Sequence, residues 1–545
     1  MKIRCVHVSF STVLIIGILL SGCQPQAGQA SAANFVPQTV AAANCSYGGE
    51  IRSVEAIDVN TVMFTLCKTD TSFLSKISSP IFAVQDEYAL DQTGGDSQNL
   101  SSSVNGTGPY RLTKYSPGVE AILEPSSSYW GVPPKPQKIT FRWVPDSIVR
   151  YRDFTAANAD VLLSPPAGLI MLIRDNKSLS EISQIGLNTI YIGINNKVQP
   201  FNNPKVRQAL ATLINREYIS SSYLIEGSES ASQLVPSTIN PGFSANIPWY
   251  TNDSATARAL LTEAGFDFTQ HLSLAYPDSG LPGVDSPAVI AQEIKKEMAD
   301  IGVALDLKRL PEVDLRASIA AGSEMLYLYW FNVDYPDGLA FFEKPFVSDI
   351  GILGQDYPDV VSAIDNLRGI DDANQRQSAF NSINRLMKDT IPVVPISHAL
   401  DVVFAKSSLK NLLTNGLYQN FEDVSSPTGE LLIYSGSEPS SFWPADETSA
   451  DTFEVTRLLY DTLLTPAIEG GGFEPLLAES WESNSDFTQW TFHLRYDVRF
   501  SNSAYLDAND VVASFSAIWK TSDPNHKGRT GEFTVFKNLF GNFTD

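Results

Sequence analysis

Residues 327–342 read YLYWFNVDYPDGLAFF, a strand that breaks into a sharp turn. Aromatic and apolar residues begin the stretch, and Pro336 and Gly338 then end the strand, because Pro fixes φ and Gly tolerates positive φ. This pattern sets the carboxylate of Asp334 at the edge of an aromatic wall. An Asp in this position either ends a buried strand or binds a ligand.

The amino terminus has the pattern of a secretory signal. Lys2 and Arg4 precede an apolar run at 8–20, which is too short for a membrane-spanning helix. The LSGC that ends at Cys23 resembles a bacterial lipobox, in which the Cys becomes the lipidated first residue of the mature protein. Residues 1–23 are therefore predicted to be a lipoprotein signal peptide; the alternative is a Cys that follows a signal peptide by chance. Acyl chains on Cys23 would hold the protein at a membrane surface.

The composition is that of an acidic protein with ample apolar material. There are 38 Lys and Arg against 61 Asp and Glu, so the net charge is −23, which argues against nucleic acid or an anionic lipid surface as partner. With 545 residues, 43% of them hydrophobic, the mature chain is expected to form two or three domains. Residues 24–44 are rich in Ala and Gln and carry no charge, which predicts a flexible tether.

Two of the four cysteines remain for the folded part of the chain. Cys5 is removed with the signal peptide and Cys23 is the anchor, which leaves Cys45 and Cys67. Outside the cytoplasm this pair forms either a disulfide or two free thiols. The spacing of the two residues in the sequence does not decide between these states.

The sequence has no pattern that indicates catalysis or metal binding. The five histidines, at 7, 271, 398, 493 and 526, are scattered, without an i, i+4 pair or a nearby Cys. There is no Gly-x-Ser-x-Gly motif and no Gly-rich phosphate loop. We therefore expect no metal site, no cofactor and no enzyme activity. The alternative is a lipid-anchored hydrolase of peptides or oligosaccharides that uses Asp334 and Asp337.

Strands and helices alternate through the middle of the chain. Asn203 and Pro204 begin a predicted helix, and further helices are predicted at 255–264, from Ser286 to about Gly302, and around 375–388. Residues 51–66 have the period-two alternation of a β-hairpin. This arrangement predicts an α/β protein with largely parallel sheets.

Several segments match the motifs of one protein family. YWFNVDYPDG is similar to the family's W-x-A-D-Y-P-D-P, GTGPY at 106–110 to V-G-T-G-P-Y, and SYWG at 128–131 to the end of R-N-P-x-Y-W-G. Residues 191–219, with FNNPKVRQALATLINR, are similar to the family's P-F-x-D-x-x-V-R-x-A-L-x-x-A-I-D-R. The chain thus resembles the extracytoplasmic solute-binding proteins of ABC importers, in the oligopeptide, dipeptide and nickel-binding family (family 5).

The resemblance implies a two-lobed, periplasmic-binding-protein-like fold with an extra small domain and a ligand enclosed between the lobes. In peptide-binding members, the Asp that corresponds to Asp334 meets the ligand's α-ammonium. Further ligand contacts implied by the resemblance are Trp330, Phe331, Asn332, Tyr335, Ser437, Glu438, Trp443 and His398. Phe331 stands where the family has Trp, Trp443 fits a core position equally well, and the alternative for His398 is a satisfied surface histidine.

The order of the segments differs from that of the family. Residues from 429 onward, including ELLIYSGSEPSSFWP and PLLAESW, resemble the segments with which family members begin, yet here they come last. A circular permutation and a chimaera of two binding proteins both explain this order. Permutation is favoured because no motif is duplicated and residues 45–428 and 429–545 together have the length of about one full-sized member.

The resemblance also implies a domain organisation in this numbering. The parts are a signal peptide with its lipobox at 1–23, a tether at 24–44, a small extra domain of lobe 1 at 45–99 and 475–545, a core α/β domain of lobe 1 at 100–187, 399–428 and 429–474, and lobe 2 at 188–398. The hinge is expected at the two crossings near Asn188 and Ala399.

Together these features predict a lipid-anchored extracytoplasmic solute-binding protein, in the periplasm or at the cell surface. Its expected partners are a small-molecule ligand, first of all an oligopeptide, the permease subunits of an ABC transporter, and the membrane that holds the Cys23 anchor. It is expected to be a monomer. A solute-binding sensor that does not serve a permease is the alternative.

Overall fold

The computed structural model describes residues 35–156, 158–348, 357–468 and 472–545. The predicted signal peptide, the lipidation site Cys23 and the first part of the predicted tether lie outside the described residues. Within those ranges, no helix has the length and apolar character needed to cross a membrane.

The strands, in chain order, are β1 Thr39–Ala41, β2 Ile51–Asp58, β3 Thr61–Leu66, β4 Tyr110–Ser116, β5 Glu120–Pro125, β6 Lys138–Trp143, β7 Val161–Leu162, β8 Leu179–Ile185, β9 Asn188–Ile194, β10 Glu229–Ser230, β11 His271–Pro277, β12 Ala304–Leu310, β13 Leu326–Asn332, β14 Val393–His398, β15 Leu400–Lys406, β16 Glu430–Ser435, β17 Leu464–Pro466, β18 Phe473–Pro475, β19 Ala478–Ser483 and β20 Gln489–Leu494.

The α-helices are α1 Phe73–Ile77, α2 Glu87–Thr93, α3 Ser97–Ser102, α4 Ser147–Thr155, α5 Ile170–Arg174, α6 Pro204–Leu213, α7 Arg216–Tyr223, α8 Ser254–Glu263, α9 Ala288–Asp300, α10 Glu312–Ala320, α11 Ala340–Glu343, α12 Pro358–Leu367, α13 Ala373–Thr390, α14 Ala450–Thr456, α15 Ala508–Trp519 and α16 Thr534–Phe540. A π-helical turn, Lys344–Ser348, continues α11.

The predicted helices and the hairpin are confirmed, because their local signals act as the sequence suggests. Asn203 caps α6 by accepting a hydrogen bond from the backbone of Lys205, and Pro204 takes the first helical position. Gly265 and Gly302 follow α8 and α9 with positive φ, which ends both helices.

A seven-stranded sheet has the order β4-β5-β6-β16-β7-β15-β8. β16, from the late part of the chain, lies between β6 and β7 and runs parallel to both. The other neighbours in this sheet are antiparallel. The α/β fold is confirmed, but the prediction of largely parallel sheets is wrong. The turn between β4 and β5 shows the reason: it is far too short for the crossover that parallel neighbours require.

A six-stranded sheet has the order β10-β14-β9-β13-β11-β12. Only the β13-β11 and β11-β12 pairs are parallel. β9 and β13 approach closely at Gly193, where an added Cβ would come within 2.0 Å of the ring of Tyr327. Glycine at this position therefore lets the Tyr327 ring lie flat against the neighbouring strand.

A five-stranded sheet has the order β1-β2-β3-β20-β19, so strands from both ends of the chain pair with each other. α15 packs on β2 and β3 and buries Phe515 and Trp519. The predicted flexible tether extends too far, because Thr39–Ala41 pairs antiparallel with β2 as an edge strand. The unpaired edge of β2 offers backbone hydrogen-bonding groups, so a short uncharged segment can pair with it as an additional strand.

In the structure, Cys45 and Cys67 form a disulfide with their Cα atoms 5.5 Å apart. The bond ties the segment before β2 to the end of β3. Nearby, the backbone N–H of Glu50 donates to the carbonyl of Phe540 at 2.8 Å, and Asn542 donates to the carbonyl of Tyr47. The end of the chain therefore lies against the disulfide-bonded turn.

The GTGPY motif also contacts the late part of the chain. A Cβ on Gly106 would lie 1.9 Å from the carbonyl oxygen of Leu459, and the N–H of Gly108 donates to the same carbonyl at 3.1 Å. Tyr110 continues this contact by donating to the carbonyl of Leu458. Glycine in the motif thus permits backbone-to-backbone packing across a long sequence separation.

Candidate functional site

A cavity of about 510 Å³ lies between the seven-stranded and six-stranded sheets. It is bordered by the loop after β7, the start of β9, the loop after β11, the turn after β13, the start of β15, residues 414–419 and α14. Volumes of this size are typical of small-molecule sites. The cavity is therefore the candidate site for a small-molecule ligand.

The floor of the cavity is formed by the two connections between these sheets. Leu187 and Asn188 belong to the passage from β8 to β9, and Leu400 and Asp401 follow the passage from β14 to β15. The two passages are bonded to each other: the Asn188 amide donates to the carbonyl of Ala399 at 3.2 Å and accepts from its N–H at 2.8 Å.

Asp334 borders the cavity, and it already has a cationic partner. The Nζ atom of Lys344 lies 3.0 Å from Asp334 Oδ2, and the two side chains are 20% and 22% exposed. Lys344 follows α11, in the π-helical turn. The sequence did not indicate this pair, because no periodicity relates a turn residue to a Lys ten positions later.

None of the aromatic residues in the 327–342 stretch borders the cavity. Trp330 packs with the core beneath the six-stranded sheet, and Phe331 contacts the rings of Tyr191 and Phe341. Tyr335 is buried, and its hydroxyl donates to Glu343 Oε2 at 2.5 Å. The structure therefore does not place these three predicted contacts on the cavity wall: Tyr335 is buried, and Trp330 and Phe331 are half-buried against the cores on opposite faces of the sheet, as successive strand residues must be.

Asn332 is exposed and does border the cavity, as expected. Ser437 lies outside the lining but donates to the carboxylate of Asp451, which borders the cavity. Glu438 points elsewhere: its Oε2 accepts from the N–H of Gly118 at 2.6 Å, in the turn between β4 and β5. The side chains of Ser437 and Glu438 therefore do not border the cavity in this structure.

Trp443 and His398 were also expected to contact ligand, and both are buried away from the cavity. Trp443 is 1% exposed and packs edge-on against Phe533. His398 is fully buried, so the alternative of a surface histidine is wrong. Its Nδ1–H donates to the carbonyl of Asn188 at 2.8 Å, and burial lowers the pKa of the imidazole. A neutral His398 thus fixes the passage from β14 to β15.

Four further acidic residues border the cavity, and sequence reasoning missed all of them. They are Asp285, Asp401, Asp451 and Glu454. Burial raises the pKa of Glu454 to about 8 and that of Asp401 to about 7. The Asp401 side chain is exposed to the cavity, but protein surrounds the cavity on several sides and weakens its solvation. These carboxylates come from distant segments, so only the fold brings them together.

Asp285 also joins the two sides of the cavity. Its carboxylate oxygens accept from the N–H groups of Ala167 and Gly168, at 3.2 and 2.9 Å. On the same side, Arg174 donates to the carbonyl of Glu226 at 3.0 Å. The cavity is therefore closed along this edge by contacts between the two sheets' connecting loops.

A buried ionic network, outside the cavity lining, makes a second set of contacts between distant segments. Lys76 is fully buried and lies 2.8 Å from Asp70, 3.0 Å from Glu50 and 3.6 Å from Glu343. Arg368 bonds to both Glu50 and Glu343. Burial opposes ionisation of Glu50, but Lys76 and Arg368 together lower its pKa to about 2. The network joins the α1 region to the α11 and α12 region.

Asp337, the second acid of the hydrolase hypothesis, does not share the cavity with Asp334. Its two carboxylate oxygens accept from Arg376 at 2.9 and 3.0 Å, and Ser72 donates to it at 3.3 Å. The structure therefore does not bring the two carboxylates together on the cavity wall. Among the described residues, no group of three or more His, Cys, Asp or Glu is arranged to hold a metal ion.

Comparison with known proteins shows which family this sequence matches. The model of the bacterial extracellular solute-binding proteins, family 5 middle region, matches residues 26–350 and 472–536. The dipeptide-binding protein of Escherichia coli K12 is 25% identical over 383 residues, which are 69% of this chain and 71% of that protein. The heme-binding protein A of Haemophilus influenzae is 24% identical over 357 residues, 64% of this chain and 65% of that protein.

Solved structures share the fold. HbpA2 from Haemophilus parasuis superposes with a TM-score of 0.63 at 22% identity, over 69% of this chain and 76% of that one. The dipeptide-binding protein of Pseudoalteromonas sp. SM9913, in complex with Met-Leu, gives a TM-score of 0.56 at 19% identity, over 69% and 74%. Since the family model covers more than half of the sequence, the chain belongs to the bacterial extracellular solute-binding proteins of family 5.

Proposed function

We propose that this protein captures a peptide in the cavity between its two larger sheets and delivers it to the permease of an ABC importer. The observation that carries this proposal is the cavity of about 510 Å³ at the two bonded passages, with Asp334 on its wall. Relatives named for dipeptide binding support a peptide as the ligand class.

Asp334 is the proposed acceptor for the α-ammonium of the peptide. Its present partner is the ammonium of Lys344, at 3.0 Å. Exchange of one ammonium for another keeps the Asp334 carboxylate paired with and without ligand, while the partly exposed Lys344 is released. Asn332, also on the wall, is the proposed neighbouring contact.

We propose the two lobes of the family, with the domain boundaries given above and a hinge at the Asn188 and Ala399 passages. The lobes would open and close the cavity by rotation at these two bonded strands. Asp285 at the cavity edge and the Lys76 network outside the cavity lining would be contacts of the closed state.

Anchoring at a membrane through lipidated Cys23 is part of the proposal, and it rests on the lipobox-like LSGC. An anchored binding protein would work outside the cytoplasm, next to the permease that receives its ligand. We propose a monomer, since one chain supplies both walls of the cavity.

A circular permutation of the family order is also proposed. It is supported by β16 between β6 and β7, by β20 beside β3, and by two separate segments that match the family model. Asn542 donates to the carbonyl of Tyr47, so the late segment ends next to the turn that would follow it in the family order.

The experiment that tests the proposed function is native mass spectrometry of the full-length protein purified in detergent, followed by calorimetric titration with a tripeptide library. We expect a co-purified or titrated peptide bound at one per chain. Small-angle scattering should show a smaller radius of gyration with peptide. Failure of every peptide in the library to bind would contradict the proposal.

A further inference from the structure

The charged side chains that border the cavity are all acidic. Asp285 and Asp334 come from the six-stranded-sheet side, Asp401 from the passage into β15, and Asp451 and Glu454 from α14 on the other side. In the described ranges, no Lys, Arg or His side chain borders this cavity. A ligand held there therefore meets carboxylates on opposite walls.

Three of these acids have cations behind them, and none of these cations borders the cavity; the charge of Arg150 interacts with that of Asp451. Lys344 pairs with Asp334 at 3.0 Å. Arg457 lies behind Glu454, with its Nε 3.9 Å from Glu454 Oε2, and its guanidinium is committed to Glu422 at 2.9 Å. Asp285 and Asp451 are held by neutral donors, the backbone N–H groups at 167 and 168 and the hydroxyls of two serines.

Glu454 is an incompletely satisfied group. Its side chain is 9% exposed, and no donor within the described part of the chain hydrogen-bonds to its Oε2. Burial raises the pKa of Glu454 to about 8, and a ligand ammonium in the cavity would favour its ionised form. Asp451 and Glu454 are three residues apart on α14 and so lie on one side of the helix.

We propose, building on the proposed function, that this cavity selects cationic peptides, those with Lys or Arg side chains besides the α-ammonium, and does not recognise a free carboxylate. Ammonium groups on the ligand would donate to Asp334 on one wall and to Asp451 and Glu454 on the other. A ligand carboxylate would find no side-chain cation on the wall and would instead meet acidic side chains, with which it cannot form an ion pair.

The test titrates the full-length protein in detergent with Lys-Gly-Lys, its C-terminal amide, Ala-Gly-Ala and Glu-Gly-Glu. We expect Lys-Gly-Lys to bind at least about ten-fold more tightly than Ala-Gly-Ala, and Glu-Gly-Glu not to be measurable. The amide should bind at least as tightly as the free acid. Equal affinities for the basic and acidic peptides, or a loss of more than about ten-fold on amidation, would overturn the inference while leaving peptide binding intact.

Variants on the protein side use the same titration. Glu454→Gln keeps the shape of the side chain and should weaken Lys-Gly-Lys about ten-fold, with little effect on Ala-Gly-Ala. Asp314→Asn is the matched control, since Asp314 lies exposed on α10 and outside the cavity. If Glu454→Gln behaves like the control while folding normally by circular dichroism, Glu454 does not select charge and the inference fails.

A polyamine separates this inference from the proposed function. Binding of spermidine, with no binding of any peptide, would support a cation site and contradict the peptide function. Binding of neither the peptides nor spermidine would overturn both proposals. Loss of Lys-Gly-Lys binding in high salt would support the charge mechanism, because screening weakens charge-charge attraction.

Discussion

The ammonium of Lys344 lies 3.0 Å from the carboxylate of Asp334, the acid proposed to receive the ligand's own ammonium. The structure thus contains an internal cation at the carboxylate that we propose binds the ligand. A peptide must displace Lys344 to reach Asp334, so the affinity reflects the difference between two ion pairs and not the energy of one.

Asp334→Asn should weaken binding of a free-amine peptide by about 1.5 to 3 kcal/mol, because a charge-assisted hydrogen bond is lost. An N-acetylated form of the same peptide should bind almost equally to both proteins. Calorimetric titration measures the four affinities. Equal losses for both peptides would mean that Asp334 supports the turn and not the ligand.

Lys344→Met removes the ammonium that pairs with Asp334 and complements the Asp334→Asn experiment. Without the competing ammonium, a free-amine peptide should bind more tightly than it does to the native protein, and the acetylated peptide should not gain. Weaker binding of the free amine would show that Lys344 contacts the ligand directly instead of competing with it.

The buried network around Lys76 predicts a large effect on stability. Lys76→Met removes one of the two buried cations of the network and leaves Asp70, Glu50 and Glu343 with Arg368 alone, and such a loss costs about 3 to 5 kcal/mol. Thermal unfolding should show a clearly lower midpoint. Lys295→Met, on the exposed side of α9, is the control and should change the free energy of unfolding by less than about 0.5 kcal/mol. A midpoint as high as that of the control would exclude a structural role for the network.

Asp401 predicts a pH dependence of cation binding. Burial raises its pKa to about 7, so the carboxyl is largely neutral at pH 6 and ionised at pH 8. A cationic ligand favours the ionised form, and affinity should therefore rise across this window and level off above it. Without ligand the sign is opposite for stability: the folded state keeps a proton that the unfolded state has lost, so this contribution falls as pH rises towards 7.

Other groups titrate in the same window, so the measurement is the difference between the native protein and Asp401→Asn. The titration of Lys-Gly-Lys is repeated from pH 5.5 to 8.5 in buffers of different ionisation enthalpy. Native protein should release protons on binding, and the variant should release fewer. Identical pH profiles would assign the dependence to another group.

Local signals in the sequence predicted much of the fold. The cap at Asn203, the glycines at 265 and 302 and the alternation at 51–66 act within a few residues, and each produced the expected element. The mixed order of the sheets was not predictable in this way, because strand neighbours such as β16 and β6 are far apart in the chain.

The candidate site was predicted only in part, for the same reason. Asn332 is the last residue of β13 and Asp334 lies two residues later, and both border the cavity. Asp401 lies in LDVVFAK and Glu454 in ADTFEVT, which are unremarkable segments of a strand and a helix. Only the tertiary structure brings Asp401, Glu454 and Asp334 to the same cavity, and no spacing in the sequence indicates it.

The order of the chain gives the last prediction. A chain that ends at Ser426 would lose β16, the strand between β6 and β7, and also β20 and α15, which cover β3. The strands that remain would then expose apolar faces. Phe64 on β3, for example, would lose its contacts with both Phe492 and Phe515. The shortened chain should therefore aggregate or melt without a cooperative transition.

A re-ordered chain is the matched control for this truncation. Residues 429–545, a short Gly-Ser linker and residues 45–426 would join the end of the late segment to the turn beside Tyr47, where Asn542 already donates to its carbonyl at 3.1 Å. Because the ends to be joined are close, the re-ordered chain should melt in one transition and bind the same peptide as the native protein. If the shortened chain instead folds and binds as well as the native protein, residues 429–545 are an appended fragment and the proposed permutation is wrong.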